Sequence, residues 1–323
     1  MTLPATKSSA HFGGLPDVPI LLLGSWNDPY ARNMLEMGAA IRARNKAPLR
    51  QIFGPWLHGR RSTGHVGEAD FGMAATIDAA TGRDWVTLRL DWFDHALGRG
   101  PAPLQRDLFW QMQAGLWPSM GGGWQSHRAP HRHSVAGPPG VRHTVTIDFD
   151  PSNPHPTPGG AVPSGGSLMA GGMFDQRSMQ TLNHPGSVRL TGLPLPEDLV
   201  LTDLTVCATG TAELPFDLHA MLVEELPCGA VINITDGILR RSTPGAVAVE
   251  LAPTSYKASR GNRLGLVLAR SNFPRHDFVT HQPWSLHLTD VAIMPDKTIH
   301  ASEPPGLGYT RSAHKPHSTR HPS

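Results

Sequence analysis

Val18-Pro-Ile-Leu-Leu-Leu-Gly-Ser-Trp-Asn-Asp-Pro-Tyr30 and, one helix length later, Leu49-Arg-Gln-Ile-Phe-Gly-Pro-Trp-Leu-His58 are the stretches whose reading decides the fold. The first opens with a nearly continuous aliphatic run, Val18 to Gly24, the pattern of a parallel strand covered on both faces. Leu49 to Phe53 is a shorter and less pure version of the same signal. Between them Pro29 to Arg44 reads as a helix, with Tyr30, Met34, Met37 and Ile41 along one apolar stripe and Arg32, Arg42 and Arg44 turned elsewhere. A right-handed crossover then sets Asp28 and His58 just past the carboxyl ends of two parallel strands. Open α/β sheets keep their sites at that rim.

An aspartate beside a histidine suits proton transfer, because a carboxylate fixes the imidazole tautomer and stabilises the imidazolium once it forms. Each residue also has a structural reading. Asp28 ahead of Pro29 makes a good helix start, and a single loop histidine is more often a hydrogen-bonded packing residue than a base. A tryptophan two residues before each makes the pair hard to ascribe to chance. In α/β-hydrolases the chain order is serine, acid, histidine, with the serine on a Gly-x-Ser-x-Gly elbow. Acid before histidine is met here, yet no serine of the chain has glycine both two residues before and two after it.

Gly24-Ser-Trp-Asn-Asp28, a Gly-Trp-x-Asp pattern with one residue inserted, and Gly54-Pro-Trp-Leu-His58 resemble the acid and histidine motifs of the X-Pro dipeptidyl-peptidase family, which includes cocaine-esterase-like and α-amino-acid ester hydrolase enzymes. Further matches follow in order: Phe149-Asp-Pro-Ser-Asn-Pro154 with Gly159 and Gly160, Asp175-Gln-Arg177, Thr235-Asp-Gly-Ile-Leu-Arg240 and Ser271-Asn-Phe-Pro274. Several ordered matches are far more specific than any one of them. The resemblance implies an α/β-hydrolase core, a helical cap and a carboxyl-terminal jelly roll of the galactose-binding-like kind. This chain matches the end of the core plus the jelly roll, an α/β part followed by an all-β part. Asp28 would orient His58, and His58 would act as general base and then general acid. Tyr30 matches an aromatic lining the acyl pocket, and Leu168 and Met169 fall near another pocket-lining position, where plain packing is an equal reading. The nucleophilic serine would lie in an N-terminal half, upstream or on another chain, so this chain alone is expected to be inactive. The substrate class would be a small acyl ester or peptide, with no metal and no organic cofactor. The alternatives are a non-catalytic jelly-roll binding or assembly module and a decayed fragment.

The domain division expected is residues 1–100 for the last part of the hydrolase core, 101–300 for the β-sandwich and 301–323 for a disordered tail. The core part ends with a helix, Arg83 to Leu97, whose Val86, Leu90, Phe93 and Leu97 form an apolar stripe widened by Trp85 and Trp92, with Gly98 placed to stop it. Only two strands of its sheet are expected. From Pro101 onward, short runs separated by Gly/Pro clusters indicate a sandwich: Leu108 to Met112, His143 to Phe149, Ser187 to Leu190, Leu199 to Ala208, Phe216 to Glu224, Ala230 to Thr235, Ala246 to Leu251, Arg263 to Ala269 and Trp284 to Ile293. Cys207 and Cys228 read as buried thiols. His314, His317 and His321 sit in a polar tail, where a solvated stretch is favoured over a metal-binding tract. With 28 basic against 26 acidic residues, nothing points to a nucleic-acid partner. No apolar run reaches membrane-span length and the first twenty residues lack a signal pattern, so no membrane partner is expected and a cytoplasmic location is slightly favoured.

Overall fold

β1 (Ile20–Asn27), α1 (Ala31–Arg44) and β2 (Leu49–Leu57) form a parallel strand–helix–strand unit, with Ile20 opposite Leu49 and Ser25 opposite Gly54. The computed structural model describes residues 17–44, 47–120, 124, 143–162, 169–179, 181–211 and 215–295. The tail, read from sequence as disordered, lies outside the described residues. After β2 come a two-residue hairpin, β3 (His65–Val66) and β4 (Ala69–Asp70), then α2 (Ile77–Thr81) and α3 (Trp85–Ala96).

The sheet does not stop at two strands. β5 (Asp107–Phe109) runs parallel to β2, and β6 (Ser119–Met120) runs antiparallel to β5, giving the order β1-β2-β5-β6. The run Leu108 to Met112, expected to open the sandwich, instead begins inside this parallel sheet. Its placement is set by tertiary partners that a short apolar run cannot reveal: the Asp107 side chain accepts the Gln51 amide at 2.9 Å, and the Trp110 amide donates to the Phe53 carbonyl at 2.7 Å.

α3 buries a face other than the one its stripe suggested, while α1 keeps Ile41 buried and Met34 and Met37 half-buried but turns its most buried side away from Tyr30. In α1 the buried positions are Ala31, Leu35, Gly38 and Ile41, while Tyr30 stands exposed ahead of the helix. Gly38 brings α1 close to β2, since a Cβ there would lie 2.3 Å from Gln51 Nε2 and the Gln51 side chain would have to move. In α3 it is Leu88 and Trp92 that are buried, with Leu88 packed among Ile52, Trp56, Ile77 and Leu108. Val86, Leu90, Phe93 and Leu97 remain 58–62% exposed. Asp84 caps α3 by accepting the Val86 and Thr87 amides, and Gly98, at a φ of 70°, follows its last turn.

The remaining strands are β7 (Val145–Phe149), β8 (Ser187–Pro194), β9 (Leu199–Leu201), β10 (Leu204–Thr211), β11 (Phe216–Glu225), β12 (Val231–Arg241), β13 (Gly245–Glu250), β14 (Tyr256–Ala258), β15 (Arg263–Ala269) and β16 (Trp284–Pro295). Eight of them make two antiparallel sheets, β13-β10-β16-β7 and β12-β11-β15-β8. β7 shows why they form a sandwich: Val145, Ile147 and Phe149 are buried while Thr146 and Asp148 are exposed, the period-2 signature of a strand with one covered face. β11 is buried along almost its whole length, since Leu218, Ala220 and Leu222 face the inner core and Asp217, His219, Met221 and Val223 lie under loops on the other side. Neither cysteine is in a disulfide; Cys207 is half-buried in β10, and Cys228 is exposed in the turn after β11, contrary to the expectation of burial.

The parallel sheet and the sandwich share one apolar core, in which Trp26, Phe53 and Phe109 join Leu218, Leu266 and Leu286. Polar ties cross the same junction. The Met112 amide donates to the Ser255 carbonyl at 2.8 Å, Lys257 returns a bond to Met112 at 2.9 Å, and the Arg32 guanidinium of α1 donates to the Leu251 carbonyl at 2.6 Å.

Candidate active site

Asp28 and His58 leave neighbouring parallel strands and meet at the sheet rim, with Asp28 Oδ2 2.8 Å from His58 Nδ1. The carboxylate is divided between two tasks. Oδ1 accepts the Tyr30 amide at 2.9 Å and so starts α1, while Oδ2 faces the imidazole. Capping and orientation were competing readings of the sequence, and in the structure one oxygen serves each. Asp28 is buried, whereas half of the His58 side chain is solvent-exposed. Donation from Nδ1–H to Asp28 leaves Nε2 as the acceptor nitrogen, and among the described residues no hydrogen bond occupies it.

The motif residues around the pair explain its geometry. A Cβ at Gly24 would lie 2.3 Å from the Phe53 ring, and one at Gly54 would lie 2.4 Å from the Trp56 ring, so both glycines are needed for these aromatics to pack. Trp56 is fully buried and donates to the Ala75 carbonyl at 2.8 Å; Trp26 donates to the Trp110 carbonyl at the same distance. Each tryptophan therefore pins a strand end two residues before Asp28 or His58. The β1–β2 register slips by one residue between Ser25/Gly54 and Asn27/Leu57, and Pro55 sits in this irregularity, where its missing N–H breaks no ladder bond. Its carbonyl accepts Asn27 Nδ2 at 2.6 Å. Asn27 thus clasps the two strand ends together, a role that sequence reasoning had not assigned; its position next to the acid was the available signal.

Tyr30 is 51% exposed and places its ring edge-on to His58 with centroids 5.5 Å apart. Met169 is half-buried, and Leu168 lies outside the described residues. Among the described residues no group of three or more His, Cys, Asp or Glu side chains is placed to hold a metal ion.

A second imidazole–carboxylate contact lies inside the sandwich. His219 Nε2 is 3.0 Å from Asp236 Oδ2, and the same oxygen receives Arg275 Nη1 at 2.7 Å and Asn272 Nδ2 at 3.3 Å. Asp236 and Asn272 come from segments that the sequence matches had singled out, and Arg275 directly follows one. Burial works against the Asp236 charge, yet Arg275 and His219 together hold its carboxyl well below the usual carboxylate range. Burial, reinforced by His219 and His184, pulls the neighbouring His155 down to about 3, and burial beside Arg275 pulls His276 down to about 4.

No family model matches the chain. It is 26% identical over 307 residues to the cocaine esterase of Rhodococcus sp. (strain MB1 Bresler), covering 83% of this chain and 51% of the esterase. Two solved structures share the fold: an aminopeptidase from a marine sediment Thaumarchaeota archaeon, with a TM-score of 0.69 at 17% identity, and an α-amino acid ester hydrolase, with a TM-score of 0.70 at 16% identity. These likenesses support a cocaine-esterase and X-Pro-peptidase-like family for the chain. It spans about half the length of the curated relative it matches, and in both structural alignments 88% of this chain covers 56% of the other. Its described residues are mostly sheet.

Proposed function

We propose that this chain supplies the acid and the base of a serine hydrolase that cleaves acyl or α-aminoacyl ester or amide bonds, dipeptide bonds included, through an acyl-enzyme. The observation that carries this reading is the 2.8 Å contact between Asp28 and His58 at the carboxyl ends of adjacent parallel strands, with the second imidazole nitrogen open. His58 Nε2 takes the proton of a serine hydroxyl as that oxygen attacks the substrate carbonyl, and Asp28 stabilises the imidazolium. The same Nε2–H then protonates the leaving alcohol or amine. Water, deprotonated again by His58, releases the acyl group. Charge on the tetrahedral oxygen is held by donors outside this chain. Tyr30, exposed against the His58 ring, and Met169, with Leu168 beside it in sequence, line the acyl side of the site.

On this reading residues 17–120 close an α/β-hydrolase core, and 143–295 form a jelly roll, which the strand order β13-β10-β16-β7 facing β12-β11-β15-β8 supports. The nucleophile belongs to the N-terminal half of the hydrolase. The test is co-expression with the adjoining upstream reading frame, if that frame encodes a Gly-x-Ser-x-Gly elbow, followed by assay against a chromogenic aminoacyl ester. Hydrolysis that disappears on His58→Ala supports the reading. Absent hydrolysis, or hydrolysis indifferent to His58, overturns it.

A further inference from the structure

Asn233 is a buried amide in β12, the end strand of its sheet, and its side-chain hydrogen bonds go to one segment that lies outside that sheet. Its Oδ1 accepts the Phe174 amide at 2.6 Å and Gln176 Nε2 at 3.2 Å, and its Nδ2 donates to the Gly172 carbonyl at 3.1 Å. The Gln176 amide also donates to the Val231 carbonyl at 2.7 Å, which lays the segment along β12. On its other side the segment is bonded to the β3–β4 hairpin that follows His58. The Met173 amide donates to the Val66 carbonyl at 3.1 Å, the Glu68 amide to the Met173 carbonyl at 2.8 Å, and the Asp175 amide to Glu68 Oε2 at 2.9 Å. The backbones lie so close that a Cβ at Gly172 would be 2.7 Å from the Gly67 nitrogen. One residue earlier, a Cβ at Gly171 would lie 3.2 Å from Leu57 Cδ2. Leu57 directly precedes His58, and Met169 directly precedes Ala170 and Gly171.

We infer that Asn233 is a positioning residue for the hydrolytic site: from inside the sandwich it fixes residues 169–174 against Leu57, and so sets the acyl-side wall to which Met169 belongs. This rests on the function proposed above and adds what holds that wall in place. The amide matches its surroundings on both ends, since its oxygen meets two N–H donors and its nitrogen meets a carbonyl. An apolar side chain at 233 would leave the Phe174 amide and the Gly172 carbonyl without these partners at a buried place, a cost that the segment relieves by moving off β12 toward water. An aspartate would keep the acceptor but lose the donor to Gly172. The role is local to the segment rather than general to the strand. Thr235, two residues further along β12 and also buried, gives its hydroxyl to the Ala252 carbonyl at 2.7 Å.

Two measurements test it: methionine-methyl NMR of the full chain, which reads Met169 directly, and kinetics of the complemented hydrolase on an aromatic-acyl ester and the acetyl ester of the same chromogenic alcohol. Asn233→Ala should shift the Met169 signal, and Thr235→Val should leave it in place. In the hydrolase, Asn233→Ala should raise KM for the aromatic-acyl ester at least fivefold, with KM for the acetyl ester and kcat for both within twofold. That split is the mark of lost binding shared by ground and transition states. Asn233→Asp should fall between wild type and Asn233→Ala. Should Asn233→Ala fail to fold, Gly171→Ala reaches the wall from its other end, pressing a methyl against Leu57 while leaving Asn233 intact, and should move the same signal and the same KM. A Met169 signal unmoved by these variants, or moved equally by Thr235→Val, overturns the inference. If hydrolysis depends on His58 but the KM ratio of the two esters is unchanged, the positioning role falls and the proposed function stands. If Met169 responds as expected but no hydrolysis depends on His58, the proposed function falls and takes this role with it.

Discussion

The rim pair Asp28–His58 and the buried pair His219–Asp236 are of nearly equal length, and they differ in everything except distance. Asp28–His58 closes at 2.8 Å and His219–Asp236 at 3.0 Å. His219 has no exposed side-chain surface, and its carboxylate partner is shared with Arg275 and Asn272. His58 is half exposed and carries its second nitrogen outward. The contrast teaches that proximity of acid and imidazole does not mark a proton-transfer site. Access to the second nitrogen does, together with a carboxylate that has no fixed cation to neutralise it.

The difference is sharpest under substitution. In the complemented hydrolase, His58→Ala is expected to lower kcat/KM by about 10⁴-fold while moving Tm by roughly 2 °C or less, because an exposed rim side chain contributes little packing. A large fall in Tm with intact turnover would make the rim pair as structural as the buried one. Asp236→Ala should do the reverse, since it leaves the Arg275 guanidinium in a buried site without its counter-charge. Breaking such a pair costs about 3–5 kcal/mol, readable as a lower urea midpoint at unchanged slope.

Acid separates the pairs next. His155 and His276, packed around the buried pair, hold depressed values of about 3 and about 4, so the unfolded chain binds their protons more readily than the native one. Their neutral form leaves stability intact above about pH 6.5, and stability is lost as pH falls below that until the native state itself takes up protons near 4 and then 3. His155 contributes about 1.4 kcal/mol per pH unit in this window, and His276, being partly solvated, adds less. Denaturant titrations at pH 7 and pH 5 measure it, and a His155→Gln chain should show a shallower slope. Equal urea midpoints at the two values would contradict the burial argument. The smallest effect is expected for Asp28→Asn. Its carbonyl oxygen can still accept the Tyr30 amide, so folding stability should stay within about 0.5 kcal/mol, measured by the same unfolding curves, although turnover in the complemented enzyme should drop with loss of the carboxylate charge.

Sequence was most informative where local chemistry repeats a known constraint. The aliphatic run ahead of Asp28, the two glycines under aromatic rings and the paired tryptophans all carried into β1 and β2. Helix faces were less legible. Period alone finds a stripe, but α3 has two, and in α1 the most buried side lies toward Leu35 and away from Tyr30, with Gly38 close against Gln51. β5 was assigned to the wrong sheet because three apolar residues have no measurable period and their parallel partner lies about fifty positions earlier. The three-residue β14 was missed for the same reason. The buried knot was unreadable as a unit, since His155, His219, Asp236 and Arg275 span 121 positions and only the sandwich brings them together.

α1 is fastened at both ends. At its start Asp28 binds the first turn and the imidazole at once, and in its last turn Arg42 forms an ion pair with buried Asp107 of β5, which also receives the Gln51 amide. A rod of fourteen residues, about 21 Å long, therefore works as a tie bar across the sheet, and the aim of His58 becomes a property of three strands rather than of the loop that bears it. Slackening the far anchor at Asp107 would register at the near one, as a change in how firmly the ring is held.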